Sequence, residues 1–231
     1  MKSRLYVVGV LGGVALLIVA LVVAFSFGRH DAAPPSLKDR PQPDIPGEIL
    51  YLDKDSCFRR ATASDGQVAK LACIPQEYSA GLYWLDEDTA ELVRYGSRGP
   101  ELWDVDLRSG TLKDTGRILA NTNLKPPVSG GAYAPNGAYA FGDSKGGVSV
   151  LVDGRQTQIA QFDVGEHNGP QVLLWSPDSN WLLLQYYPRY SGASELWIVS
   201  RDGQTQGALA HDASQLAAWR INGMGAQPQL P

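Results

Sequence analysis

The stretch Leu173–Gln204, "LLWSPDSNWLLLQYYPRYSGASELWIVSRDGQ", decides the fold. Two apolar runs, "QVLLW" (from Gln171) and "WLLLQYY", flank Ser176-Pro177-Asp178-Ser179. That tetrad has the chemistry of a type I turn: Ser first, Pro second with its φ preset, Asp third. A further apolar run, "ELWIVS", ends at Arg201-Asp202-Gly203. Glycine there supplies the positive φ that a hairpin turn needs.

The pattern recurs. "GAYAPNGAYAFG" sets Ala134-Pro135-Asn136-Gly137 between two short apolar runs, and "LYWLDEDTAELVRY" and "LAAWRINGM" are weaker copies. The anchoring aromatics Trp84, Tyr133, Trp175 and Trp219 are separated by 49, 42 and 44 residues. A second mark, the turn glycines Gly66, Gly110, Gly154 and Gly203, recurs at 44, 44 and 49. Two independent marks with a period near 45 indicate a repeat. Each unit reads as four short strands, A to D, and a four-stranded unit of about 40–45 residues has the size of a propeller blade. No long amphipathic helix follows the N-terminal segment. The expected class is therefore all-β, a β-propeller of about four four-stranded blades.

The segment "LLWSPDSNWLLL…ELWIVSRDGQ" resembles the propeller repeat of TolB-type proteins, also found in the propeller domains of prolyl-oligopeptidase-type peptidases. The resemblance runs from about Gly47 onward and is clearest over Trp175–Gly203. It implies a β-propeller, usually in an extracytoplasmic setting. It implies no particular activity, because one fold hosts many.

Ahead of the repeats, Leu5–Phe27 is an uncharged, mostly apolar run of 23 residues. As a helix it reaches roughly 34 Å, enough to cross a hydrocarbon core of about 30 Å. The expectation is a single transmembrane signal-anchor helix over 5–27. A short cytoplasmic tail at 1–4 would precede it, and a Pro-rich linker at 28–46 would extend from membrane to a domain at 47–231. The domain then lies outside the cytoplasm. Gly9 and Gly13, four residues apart on that helix, offer a close-approach face for a homodimer. The net charge of −4 argues against nucleic acid, which rewards clustered Lys and Arg.

The ends of the repeat array complement each other. "EILYLD" (48–53) starts a unit that lacks strand A, while "QLAAWRINGM" is a strand A with nothing after it. Pairing the two completes a fourth blade. The alternative is a half-propeller completed by a second chain. In the closing unit, a three-residue turn Ser64-Asp65-Gly66 puts Ala63 opposite Gln67 and hence Cys57 opposite Cys73, within disulfide range. A disulfide fits export into an oxidising compartment.

Catalytic signals are sparse. "GDSKG" (142–146) matches the G-x-S-x-G spelling of a hydrolase elbow, but an elbow needs strand, turn and helix. "GVSVLVDG" follows, which reads as a strand. Ser144 as a nucleophile is the alternative reading; the expectation is no enzyme, no cofactor and no metal, since the three His have no ligand spacing. Function is expected on the B–C and D–A connections, which gather Tyr, Arg and His; aromatics and Arg are the side chains that anchor interfaces. The candidate ligand-binding residues are Tyr78, Arg98, His167, Tyr186, Tyr187, Arg189, Tyr190 and His211. Tyr186 and Tyr187 point to opposite faces of their strand, so one of them belongs to the core. The sum is a membrane-anchored, extracytoplasmic propeller that binds or scaffolds a protein or other ligand.

Overall fold

The computed structural model describes residues 36–75, 79–97, 99–118, 131–166, 168–189 and 191–226. The expected membrane helix over 5–27, with Gly9 and Gly13, lies outside the described residues. Among the described residues no helix is long and apolar enough to cross a membrane.

Four antiparallel sheets make up the domain. The first contains β1 (Glu48–Asp53), β2 (Cys57–Thr62), β3 (Val68–Cys73), β16 (Ala213–Ile221) and β17 (Met224–Ala226), in the order β17-β16-β1-β2-β3. The second runs β4 (Ser79–Trp84), β5 (Thr89–Gly96), β6 (Gly99–Asp106), β7 (Leu112–Ile118). The third comprises β8 (Gly131–Tyr133), β9 (Tyr139–Gly142), β10 (Gly147–Val152) and β11 (Arg155–Gln161). The fourth comprises β12 (Gln171–Trp175), β13 (Trp181–Tyr186), β14 (Glu195–Ser200) and β15 (Gln206–His211).

The termini close the first sheet as the repeat arithmetic requires: β16 pairs with β1, with Glu48 opposite Arg220 and Ile49 opposite Trp219. Trp219 is fully buried and its Nε1–H donates to the Pro46 carbonyl at 2.9 Å. One strand was not anticipated. Asn222 and Gly223, both at positive φ, turn the chain back into β17. Asn-Gly is the strongest short hairpin signal, and it stands in plain view in "RINGM".

Successive sheets pack face to face, as blades do. One face of the fourth sheet (Leu174, Leu183, Leu196, Ile198) meets Ile49, Tyr51 and Ala61 of the first. Its other face (Trp175, Leu182, Leu184, Trp197) meets Ala132, Ala140, Val148 and Val150 of the third. The first sheet's second face (Leu50, Leu52, Phe58) meets Leu82, Trp84, Leu92 and Val105 of the second. Among the described residues no core cluster joins β4–β7 to β8–β11, and the connection between them, 119–130, lies outside the described residues.

The turn glycines have a second role here. A Cβ on Gly203 would sit 2.3 Å from the Ile159 carbonyl oxygen of β11, and one on Gly110 would sit 2.4 Å from that of Cys73 in β3. These two C–D turns therefore press on the outer strand of the neighbouring blade. At Gly66 the neighbour is Leu37, whose N–H donates to Ala208 of β15 at 2.8 Å. Leu37 and Ile45 are both buried in the first core cluster. The second half of the segment expected to be a spacer, Ser36–Pro46, is thus part of the packed domain, because its two aliphatic side chains find an apolar seat beside β15.

Candidate functional site

The B–C turns of the first and third sheets are built on a shared device. Asp143 Oδ1 accepts the N–H groups of Lys145 (2.8 Å) and Gly147 (3.0 Å), and Gly146 follows at φ +90°. In the first sheet, Asp53 Oδ1 accepts the N–H groups of Asp55 and Cys57, each at 2.9 Å, with Ser56 at φ +59°. "GDSKG" is therefore the blade's own turn. Ser144 is exposed between two strands and β10 follows directly, so the strand–turn–helix geometry of a nucleophile elbow does not occur there.

Beyond these turns, one cross-strand position recurs at the mouth of three blades. Cys57 lies opposite Cys73 and the two form a disulfide. Gly147 lies opposite Gln161. Glu195 lies opposite His211, with Nδ1 3.2 Å from the carboxylate. The Cys57–Cys73 register arises differently from the sequence expectation. The turn leaves Ala61 opposite Val68 and Thr62 bonded to Gln67, one residue longer than the three-residue loop expected, and a bulge between Cys57 and Arg59 restores the alignment.

The candidate ligand residues divide. Tyr78, Arg98, His167 and Tyr190 lie outside the described residues. Tyr186 belongs to the core. It is 6% exposed, its ring lies 4.7 Å from Phe162 and 6.0 Å from Trp197, and burial with Glu195 alongside pushes its phenol well above the ordinary tyrosine range. Tyr186 is withdrawn as a contact residue on this ground: strand alternation sends it between the sheets. Tyr187, on the opposite face, is 40% exposed. Arg189 stands 3.8 Å from Asp163 and packs over Gly165, where a Cβ would fall 2.5 Å from its Cγ. The expected wealth of long B–C connections reduces to one, 187–194, since β1–β2, β5–β6 and β9–β10 are joined by short turns.

His211 borders a pocket of about 200 Å³ that sequence reasoning missed. It opens between β1–β2 and the His211–Asp212 link. Tyr51, 3% exposed, and Asp53, 7% exposed, line it together with Arg59 and Val68. Asp53 is buried, which raises its pKa, but the Cys57 N–H, the Arg59 guanidinium at 2.7 Å and the Asp55 N–H outweigh that and hold it below the usual carboxylate range. Burial is the main force on Tyr51; Arg59 opposes it and Asp53 adds to it, and the phenol is pushed up to about 12. The only advance signal was the shared spacing of the Asp53 and Asp143 turns.

A wider groove of about 1190 Å³ lies at the opposite end, over the C–D turns of the third and fourth sheets. Its Asp178 and Asp202 are engaged in their own turns, with Asn180 and with Ser200 and Gln204 respectively. Among the described residues no three His, Cys, Asp or Glu side chains come together as a metal site.

No family model matches the chain, and no curated protein sequence matches it. Solved structures similar to it include the nidogen/laminin complex, at 15% identity over 75% of this chain and 70% of that one, with a TM-score of 0.33. TolB from Acinetobacter baumannii matches at 12% identity, over 82% of this chain and 46% of that one, TM-score 0.29. A putative TolB from Agrobacterium tumefaciens matches at 18% identity, over 77% and 61%, TM-score 0.28. The chain thus spans about half to three-fifths of these two TolB chains. The blade architecture rests on the protein's own sheets: four stacked antiparallel units, one of them closed by the two ends of the chain.

Proposed function

We propose that this protein is a non-enzymatic binding module, held at the membrane by its N-terminal apolar segment with the propeller outside the cytoplasm, and that it engages a protein partner through its B–C face. The supporting observation is the 187–194 connection. It leaves β13, whose six residues are all buried, so the loop is carried on a rigid stem. It holds Tyr187 and Arg189 outward, Arg189 beside Asp163. Exposed Tyr and Arg on a fixed scaffold are the side chains that dominate interface energetics. The 23-residue apolar run and the disulfide support the anchored, exported setting.

The test uses full-length protein crosslinked in its host and recovered in detergent. The double variant Tyr187→Ser/Arg189→Glu is expected to lose the crosslinked species while melting as the wild type does. Unchanged crosslinking in that variant overturns the reading. In the same preparations Ser144→Ala is expected to leave any esterase or peptidase activity as it was.

A further inference from the structure

We propose that the Cys57–Cys73 disulfide is a reducible clasp on β3: a dithiol opens it by attack at Cys73, and β3 then peels from β2 and from the β6–β7 turn while the other sheets stay folded. The clasp goes beyond the binding reading and does not depend on the face at 187–194.

A comparison of the four outer strands carries the argument. β15 buries four of its six residues. β7 and β11 bury none fully, but side chains tie them to their sheets. Arg117 of β7 pairs with Glu91 of β5, and the Thr115 hydroxyl donates to the Leu102 carbonyl at 2.7 Å. In β11 the Gln156 amide donates to the Ser149 hydroxyl at 3.2 Å, and the Gln161 amide donates to the Lys145 carbonyl at 2.7 Å. β3 is held differently. None of its six residues is buried, and only Leu71 packs against a core cluster. Among the described residues the disulfide is the one side-chain bond that β3 makes.

The two halves of the clasp differ. Cys57 is 4% exposed, and Asp53 Oδ1 holds its N–H at 2.9 Å. Cys73 is exposed, at the end of an outer strand. Exposed disulfides are the labile ones, and access decides which sulfur is attacked. A thiolate of the dithiol bonds to Cys73 Sγ. The Cys57–Cys73 bond breaks, and its electron pair leaves on Cys57 Sγ, which takes up a proton. The second thiolate of the dithiol then displaces Cys73 Sγ, which is protonated in turn. Two electrons pass to the protein, and the reductant ends as its own disulfide.

The clasp guards the seam between two blades. The Ala72 N–H donates to the Leu107 carbonyl at 3.0 Å, and Gly110 packs on the Cys73 carbonyl. Once the clasp is open, β3 keeps only its backbone ladder to β2 and that seam. β1 and β2 stand between β3 and β16, so the closure of the first sheet by Trp219 survives the opening.

The test uses full-length protein in detergent, treated with dithiothreitol in native buffer. Maleimide labelling counts free thiols, and mass spectrometry follows backbone hydrogen exchange. Both cysteines are expected to reduce together in the folded protein. Exchange over Val68–Cys73 should then rise about tenfold or more. Exchange over 107–110 should rise with it, and β13 should stay as protected as before. A brief pulse of glutathione, a monothiol, should leave its adduct on Cys73. The double variant Cys57→Ser/Cys73→Ser should reproduce the reduced pattern; should it fail to fold, the reduced wild type decides. The proposal is overturned by a disulfide that resists dithiothreitol until denaturant is added, by a glutathione adduct on Cys57, or by unchanged β3 exchange after reduction. An equal rise in β13 also overturns it, since the disulfide would then support the whole fold and not one strand.

Discussion

Gly203 and Gly154 hold the same place in two C–D turns, at φ +73° and +76°, yet a methyl group would meet different surroundings at each. At Gly203 it would run into the Ile159 carbonyl oxygen at 2.3 Å; at Gly154 no described atom lies within 4 Å. An L-residue in left-handed conformation costs roughly 1–2 kcal/mol, and both alanine variants incur that. Forcing two blades apart adds about 1–3 kcal/mol at Gly203 alone. Chemical denaturation should therefore find Gly203→Ala less stable than Gly154→Ala by at least about 1 kcal/mol. Equal losses would mean that the glycine serves the turn and not the contact between blades. The comparison also marks what sequence can hold at this scale. A positive φ is legible in Ser-x-Gly and Asp-Gly. That the same atom touches the next blade is not, since the partner lies 44 residues away at Ile159. The pocket escaped notice for a like reason. Tyr51 and Arg59 are ordinary strand residues, and His211 approaches them only through the packing of two sheets.

Elements were legible in proportion to how deeply they are buried. β13 is covered on both faces, and all six residues of "WLLLQY" are buried, so it reads as one apolar run. The outer strands are half-solvated; β7 and β11 carry mostly exposed residues and gave no signal beyond the turn before them. β17 has three residues and was overlooked despite its Asn-Gly turn. β16 was read correctly because Trp219 keeps the repeat spacing. Its weight can be measured. Trp219 is 0% exposed within the first core cluster, so Trp219→Ala should cost about 3–5 kcal/mol. Deleting Ala213–Pro231 should abolish cooperative unfolding and cause aggregation, because Ile49 and Leu50 lose their cover and β1 is left as a bare edge. A truncated protein that melts like the intact one would show that β16 contributes nothing.

For the whole molecule, the testable quantity is which side of the membrane the sheets occupy. Protease added to intact spheroplasts should degrade the domain, and non-reducing electrophoresis should find Cys57 and Cys73 oxidised. Protection until lysis would place the propeller in the cytoplasm. The closure of the first sheet has a further meaning in time. Glu48 and Arg220, hydrogen-bonded across that sheet, are 172 residues apart. At about 5–20 residues per second of synthesis, β1 waits roughly ten to thirty seconds for its partner to be made. Until then β1–β3 stand with one flank open and a strand position vacant. A nascent chain that stalls, or a message cut short before Trp219, yields a protein that no blade-by-blade rescue can complete. β16 thus acts as the latch on the strands made before it, and a quality-control protease that recognises an unfilled strand edge would sort closed copies from open ones without reading any sequence at all.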